Sequence, residues 1–480
     1  MRYVDVILPV PLDGTFTYTI DTDKASRCAV GMRVLVPFGP TKTYAGVVTR
    51  LHDDAPSLPA GKLKSVLALM DDSPVVLASQ LRLWQWIADY YMCTLGDVYV
   101  AALPAGLKAD SQYRPKMETC VALAAPYATP EGQKVALEML RRSPRQLEVF
   151  QTFLQLTSTT DTSPLTREAL LNAAHATAAV FKSVVSRGVF TTFEREVGRL
   201  NTSMEPHLER AAQLSAAQGD AYNQVLMQWM HHPVVLLHGV TSSGKTEVYI
   251  HLILKTLAEG KQVLYLLPEI ALTVQIMQRL QRIFGNRLGI YHSRYSDAER
   301  VEIWRKQLSA NPYDIILGAR SALFLPFQRL GLVVIDEEHE SSYKQQDPAP
   351  RYHARSAAIV LARMFGAKTL LGTATPSAES YHNALMGKYG LVRLTTRFRD
   401  VQLPEIRVVD VKDLRHRRLM SGPFSPPLLA AMREALSAGR QVILFQNRRG
   451  FAPMLECRVC GWVPKCKNCD VSLTYHNRLN

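Results

Sequence analysis

The chain has 480 residues, too many for a single hydrophobic core, so about three or four domains are expected. Its 47% hydrophobic and 20% charged content is that of a soluble globular protein. There is no apolar run of the roughly eighteen residues a membrane span needs, and the start Met1-Arg2-Tyr3-Val4-Asp5 has no signal-peptide pattern, so membrane and secreted classes are excluded and a cytoplasmic location is expected. Lys and Arg number 56 against 42 Asp and Glu, and the net charge of +14 favours a polyanionic partner, nucleic acid first.

From Met1 to about Met70, β-like runs such as Tyr3–Leu8, Phe16–Ile20, Arg33–Pro37 and Tyr44–Val48 are separated by turns at Gly14, Gly31, Gly39 and Gly61, which predicts a small β domain. Helical spacing follows over Ala78–Tyr91, with Leu81, Trp84, Ile87, Ala88 and Tyr91 on one face, a stripe read as core packing. Between Met117 and Gly198, helix starts at Ser143-Pro144 and Ser163-Pro164, a third helix carrying Val180, Val184 and Val185, and a strand at Val189–Phe193 suggest a winged helix. Its helices are not notably basic, so DNA binding and a plain spacer role both stay open.

From Pro206 to Arg399, strand-like runs at Val234–Leu237, Gln262–Leu267, Ile315–Leu317, Leu332–Ile335 and Lys368–Leu371 alternate with helical stretches, the pattern of a doubly wound, mostly parallel sheet. A further run, Gln441–Phe445, is expected to open a second α/β lobe. The expected domains are therefore residues 1–110 (β-rich), 111–200 (winged-helix-like), 201–400 (first lobe), 401–455 (start of the second lobe) and 456–480 (cysteine-rich).

The first lobe carries the chemistry. Gly239-Val240-Thr241-Ser242-Ser243-Gly244-Lys245-Thr246 follows a buried strand and leads into a helix, so its backbone N–H groups can surround a phosphate chain. Lys245 is expected to reach the β- and γ-phosphates and Thr246 to take a place on Mg²⁺. Farther along, Val333-Val334-Ile335-Asp336-Glu337-Glu338-His339 puts two carboxylates at the C-terminal end of a strand, where open α/β sheets bind ligands. Asp336 is expected to hold Mg²⁺ and Glu337 to orient and deprotonate the attacking water. Between Tyr343 and Arg355, the rings Tyr343 and Tyr352 beside Lys344, Arg351 and Arg355 suit stacking on unpaired bases together with phosphate pairing.

Four further segments, Leu214–Gln218, Pro268–Thr273, Gly318–Phe324 and Gly372–Pro376, resemble in order and spacing the Q-like element and motifs Ia, Ib and III of superfamily 2 helicases, with Asp336-Glu337-Glu338-His339 as the DExH box. That resemblance implies a RecA-like lobe, adenine reading by Gln218, a catalytic place for His339, DNA-backbone contacts from Thr273, Arg320 and Ser321, and coupling through Thr373-Ala374-Thr375. More narrowly, the segment from Asp336 through Arg355, together with Asn447-Arg448-Arg449-Gly450-Phe451-Ala452-Pro453 running into a cysteine cluster, resembles the PriA (primosomal protein N′) family of replication-restart helicases. Where some family members carry a tryptophan, this chain has Asp347-Pro348-Ala349-Pro350.

The family implies an ATP-dependent 3′→5′ DNA helicase that recognises stalled or abandoned forks and starts replication restart by primosome assembly. Its partners would be forked and single-stranded DNA, primosome proteins and single-strand-binding protein. Phe16, Gly39 and Lys64 match the family's 3′-end pocket, whose acidic residue after the phenylalanine is Thr17 here. Four of the seven cysteines, Cys457, Cys460, Cys466 and Cys469, form two C-x-x-C pairs that read as Zn²⁺ ligands. Only five residues separate the pairs, which fits two half-sites better than one tetrahedral site, and the family implies two ions completed by later cysteines. By the same resemblance the rest of the second lobe, with an arginine finger contributing about 10³–10⁵ in rate, follows Asn480, so residues 1–480 are expected to bind ATP and DNA but to be weak in hydrolysis and unwinding. Two other readings stay open: another superfamily 2 translocase of repair or restriction, and a fork-binding scaffold that does not hydrolyse.

Overall fold

A computed structural model describes residues 2–54, 63–108, 117–159, 165–196, 208–268, 274–292, 295–397, 405–445, 457 and 462–464. It divides into a unit of residues 1–400 and a smaller unit of residues 401–480.

The N-terminal strands are β1 (Arg2–Ile7), β2 (Phe16–Ile20), β3 (Arg33–Phe38), β4 (Lys42–His52) and β5 (Ala68–Leu69), with α1 (Thr22–Arg27) between β2 and β3. They form an antiparallel sheet in the order β2-β1-β4-β3-β5. Alternation sends Val4, Val6, Val34, Val36 and Val48 inward to a core of their own, while Tyr3 and Asp5 stay partly open to solvent. Gly31 has φ +88° and lies so close to Val76 that a Cβ there would stand 1.9 Å from its carbonyl oxygen, so only glycine fits this approach.

Three helices follow, α2 (Ala78–Tyr91), α3 (Leu95–Ala102) and α4 (Ala105–Lys108). The expected α2 stripe is buried at Trp84, Ile87 and Ala88 and half-buried at Leu81 and Tyr91. These helices join the core of the large parallel sheet, with α2 packed on the helix Ala354–Met364 that covers it: Trp84, Ile87, Val98 and Tyr99 share one core with Val333, Ile335, Ala354, Ala357 and Leu361. Polar bonds fix the seam, with Gln80 Nε2 donating to Phe324 O at 2.6 Å and Trp304 Nε1 to Val75 O at 2.7 Å. On the other side of the helices, the buried Arg33 pairs with Asp71 at 2.6 Å and donates to Leu107 O at 2.8 Å.

The module at 117–196 consists of β6 (Met117–Leu123), α5 (Pro130–Leu140), α6 (Pro144–Thr159), α7 (Arg167–Ala173), α8 (Ala178–Ser186) and β7 (Phe190–Glu196). β6 and β7 pair as an antiparallel wing, and Phe150, Phe153, Phe181 and Phe190 fill the core beneath them. The helix at α5 was not anticipated from the sequence. Ser163-Pro164 lies outside the described residues, and the helix that follows starts at Thr166, whose hydroxyl accepts from Ala169 N at 3.2 Å.

The first lobe runs α9 (Ala216–His231), β8 (Val234–Gly239), α10 (Lys245–Ala258), β9 (Gln262–Leu266), α11 (Val274–Phe284), β10 (Leu288–Tyr291), α12 (Asp297–Leu308), β11 (Ile315–Gly318), β12 (Leu330–Asp336), α13 (Ala354–Met364), β13 (Lys368–Thr373), α14 (Ala378–Leu385) and β14 (Gly390–Leu394). Its seven strands are parallel in the order β10-β11-β9-β12-β13-β8-β14, the expected doubly wound sheet with two edge strands added, β10 and β14. Successive residues serve opposite layers: Leu236, Leu264, Val333 and Leu371 face the core shared with α2 and α3, while Val235, Val263, Val334 and Leu370 face α9, α10 and α11.

The smaller unit contains α15 (Val411–His416) and α16 (Pro426–Ser437). The strand expected at Gln441–Phe445 is not formed; no described strand lies beside it, and Ile443 and Phe445 are 93% and 86% exposed. No helix among the described residues is long and apolar enough to cross a membrane.

Since α2 and the parallel sheet bury one another, Trp84→Ala should cost about 3–5 kcal/mol. In urea denaturation the midpoint should fall for both together, in a single transition of the first unit.

Candidate nucleotide site and the loop beside it

Strand β8 ends at Gly239, and the chain turns through Ser242 (φ +64°) and Gly244 (φ +80°) into α10. A Cβ on Gly244 would stand 2.1 Å from Gln218 Nε2, so glycine is required for the loop to close against α9. Gln218 is buried and its amide is engaged at both ends: Nε2 donates to Ser243 O at 3.2 Å, and Oε1 accepts from Ser215 N at 2.9 Å. Gln218, expected at the adenine, thus also braces the loop backbone. Lys245 Nζ donates to Gly239 O at 3.0 Å, folded back across the loop, and the buried Ser243 hydroxyl has no protein partner.

Asp336 ends β12 half-buried. Tyr249, one helical turn beyond Lys245, donates to Asp336 Oδ1 at 2.9 Å, and Tyr265 of β9 donates to Oδ2 at 3.5 Å. Burial pushes the Asp336 carboxyl up to about 6, and neighbouring Glu337 adds to the rise; the Tyr249 bond and Lys245 oppose it. Both tyrosines are pushed well above their ordinary values, first by burial and then by Asp336, so they stay donors. Glu337 has φ +46°, which strains a residue with a side chain and turns its backbone N–H onto Asp336 Oδ1 at 3.0 Å. A glycine-containing loop at a helix start, with Lys245 and a hydrogen-bonded carboxylate beside it, is a donor set suited to Mg²⁺ and a nucleotide triphosphate. Among the described residues no group of three or more His, Cys, Asp or Glu could hold a metal by itself.

The next residues tie this site to its neighbours. His339 Nδ1 lies 2.7 Å from Thr373 Oγ1, and its Nε2 lies 3.4 Å from Thr375 Oγ1, joining the strand end of β12 to that of β13. Glu338, which the sequence reading passed over, is fully buried: it accepts from Ser377 N at 2.8 Å, Ser380 Oγ at 2.8 Å and Arg355 Nη1 at 2.5 Å. Burial alone would raise this carboxyl, but the bonds from Ser377, Ser380 and Arg355 hold it below its ordinary value. Glu247, buried one turn into α10, pairs with Arg279 of α11 and was likewise missed. The available signal for Tyr249 was its four-residue spacing from Lys245 on one helix face.

The segment from Tyr343 to Arg355 differs from its expected form. Tyr343 and Tyr352 are each 1% exposed. The Tyr343 hydroxyl lies 2.7 Å from Asp336 O and 3.1 Å from Leu266 O, and the Tyr352 ring packs edge-on to Phe324 at 5.2 Å. Arg355 is spent on Glu338 and Ser377. These three side chains therefore build the loop rather than present it; Lys344 and Arg351 remain at the surface of the expected set. Arg320 donates to Ser342 O and Lys344 O, each at 3.4 Å, and Ser321 follows it in the same turn. Thr273, Cys460, Cys466 and Cys469 lie outside the described residues; Cys457 is described, with its N–H donating to Trp462 O at 2.8 Å.

In the N-terminal sheet, Phe16, Gly39 and Lys64 come together. Phe16 packs edge-on to Phe38 at 5.3 Å, Gly39 follows with φ +65°, and Lys64 Nζ donates to Gly39 O. Thr17 donates to Asp5 Oδ1 at 2.7 Å, so a carboxylate lies across the strand pair rather than at position 17.

Family models match three segments: a PriA 3′ DNA-binding domain at residues 5–104, a PriA helicase winged helix domain at 118–197, and a DEAD/DEAH box helicase at 215–384. The replication restart protein PriA of Haemophilus influenzae is 37% identical over 100% of this chain and 63% of its own length. That of Bacillus subtilis is 32% identical over 99% of this chain and 66% of its own length. The chain belongs to the PriA family. It spans 63% and 66% of the length of these two relatives. Among solved structures, the Pyrococcus furiosus Hef helicase domain overlaps 48% of this chain and 49% of its own, at 17% identity and a TM-score of 0.30.

Two outcomes are expected. Because the ionised carboxylate is the metal-binding form, the Mg²⁺ dependence of nucleotide affinity should be full above pH 7 and fade as pH falls through about 6; the Asp336→Asn variant should show neither Mg²⁺ dependence nor pH step in fluorescent-nucleotide titrations. Glu338→Ala leaves Arg355 charged and unpaired in a buried place, and should lower unfolding free energy by about 3–5 kcal/mol in denaturant titration.

Proposed function

We propose that this chain provides the ATP-binding lobe and the DNA-gripping modules of an ATP-dependent 3′→5′ DNA helicase, which recognises stalled or abandoned forks and starts replication restart by primosome assembly. The observation that carries this reading is the run Asp336 to His339: Asp336 meets Tyr249 on the helix that leaves the phosphate loop, Glu338 meets Arg355 and His339 meets Thr373, so one strand end links the nucleotide side to the segments read as nucleic-acid loops.

In this reading Lys245 and the loop N–H groups bind the phosphates, Thr246 and Asp336 hold Mg²⁺, and Glu337 orients and deprotonates water. The bound ion would neutralise charge on the phosphates. His339 carries the state of the site to Thr373 and Thr375, and Gln218 reads the adenine while bracing the loop. Thr273, Arg320, Ser321, Lys344 and Arg351 take the DNA backbone, with Phe16, Gly39 and Lys64 at a strand end. Asp5 offers that pocket a carboxylate next to Thr17. Cys457, Cys460, Cys466 and Cys469 would supply thiolates to Zn²⁺. The partners are forked and single-stranded DNA, primosome proteins and single-strand-binding protein, in the cytoplasm.

Lys245→Ala should weaken Mg-nucleotide binding by at least about a hundredfold while leaving DNA affinity unchanged. Affinity measured on a fork with a leading-strand 3′ end at the branch should exceed that for blunt duplex. Equal affinity would point instead to a general translocase, and unaltered nucleotide binding in Lys245→Ala would remove the motor assignment.

A further inference from the structure

The rings that the loop withdraws from its surface have a counterpart next to it. On the outer face of α2, Arg82, Trp86 and Tyr90 follow at four-residue spacing, so they line one side of the helix. The Trp86 and Tyr90 rings stack at 4.8 Å with an interplanar angle of 17°. Tyr90 is 64% exposed, and Trp86 is half-buried. Tyr91 stands edge-on to both, at 6.0 Å from Trp86 and 4.9 Å from Tyr90, which holds the pair in place from the side. Its own hydroxyl meets the backbone of His353 and the side chain of Ser356, so the ladder is anchored to the loop and to α13.

Cations complete the strip. Lys344 Nζ lies 5.1 Å from the centre of the Tyr91 ring and donates to Arg351 O, with the Arg351 side chain 65% exposed beyond it. Two acids are close, and both have partners: Asp89 accepts from Gln85 at 2.8 Å, and Asp347 lies 3.5 Å from Arg351. A pre-stacked ring pair whose outer member, Tyr90, is exposed, bordered by Arg82, Lys344 and Arg351, matches what unpaired bases on a phosphate chain need: an accessible ring that can extend the stack, with positive charge alongside. A duplex has no free base faces to offer such a surface.

We propose that the outer face of α2 and the adjoining loop form a stacking surface for single-stranded DNA, with Trp86 and Tyr90 receiving bases and Lys344 and Arg351 the adjacent phosphates. The assignment rests on the DNA-binding reading above. It places an N-terminal helix, rather than the loop tyrosines, as the aromatic part of the strand path.

The test is fluorescence anisotropy of the full chain with a labelled thymidine 20-mer and, separately, a 20-base-pair blunt duplex. Tyr90→Ala and Trp86→Ala should each weaken single-strand binding about tenfold and leave duplex binding unchanged, whereas Tyr90→Phe, which keeps the ring, should bind as wild type does. Lys344→Ala should flatten the salt dependence of single-strand binding by about one phosphate, a change that Tyr90→Ala should not produce. Nucleotide affinity should be unaltered in Tyr90→Ala, which reports an intact fold. If Tyr90→Ala and Trp86→Ala keep wild-type single-strand affinity, the surface serves another protein segment or nothing, and the proposal is overturned while the DNA reading stands. Should the wild-type chain itself fail to bind the 20-mer, both fall.

Discussion

The buried carboxylate of Glu338 sets the terms for everything around it. A charge removed from water this completely has to be surrounded by donors, and the donors here come from two separate stretches: Arg355 at the start of α13, and Ser377 and Ser380 at the cap and first turn of α14. Meeting that requirement fixes where the loop between β12 and α13 can run. It also fixes the flanking members of the run, since Asp336 and Glu337 on one side and His339 on the other have little freedom once Glu338 is bound. The strained backbone at Glu337 follows from that crowding: the chain must leave β12, send one carboxylate to the phosphate loop, and bury the next but one.

Much of this was legible in the sequence. The phosphate loop and the DExH run announce themselves because their chemistry demands particular residues at fixed places, and the five central strands because β-sheets buried on both faces need continuous apolar runs. β10 and β14 escaped detection since edge strands need not be apolar throughout: Gly289 interrupts one, and Gly390 and Arg393 interrupt the other. The apolar run Gln441–Phe445 forms no strand among the described residues for a different reason. Hydrophobicity indicates what a segment could bury, but a strand also needs a neighbour to accept its hydrogen bonds.

The loop from Tyr343 to Arg355 shows a further limit. Rings and cations at close spacing have the composition of a nucleic-acid surface, yet whether a tyrosine faces bases or a core is decided by distant residues such as Phe324 and Leu266, which sequence spacing does not bring to mind. Glu338 was invisible for a related reason. As one of three adjacent acids it has the look of solvated charge, and only the folded chain reveals serines and an arginine converging on it. Membership of the PriA family, in turn, is supported over the length of the chain, including the N-terminal sheet, where the helicase motifs have no bearing.

The core shared by α2, α3 and the parallel sheet has a mechanical consequence. Trp84, Val98 and Tyr99 belong to one buried core with α13 and with Val333 and Ile335 of the strand that ends in Asp336, and close-packed interiors transmit displacement instead of absorbing it. The path from the N-terminal helices to the phosphate loop therefore contains no soft joint. Strand β12 acts as a stiff spoke: a load applied to the rim of α2 is felt at its hub, and work done at the hub is delivered to whatever the rim is holding.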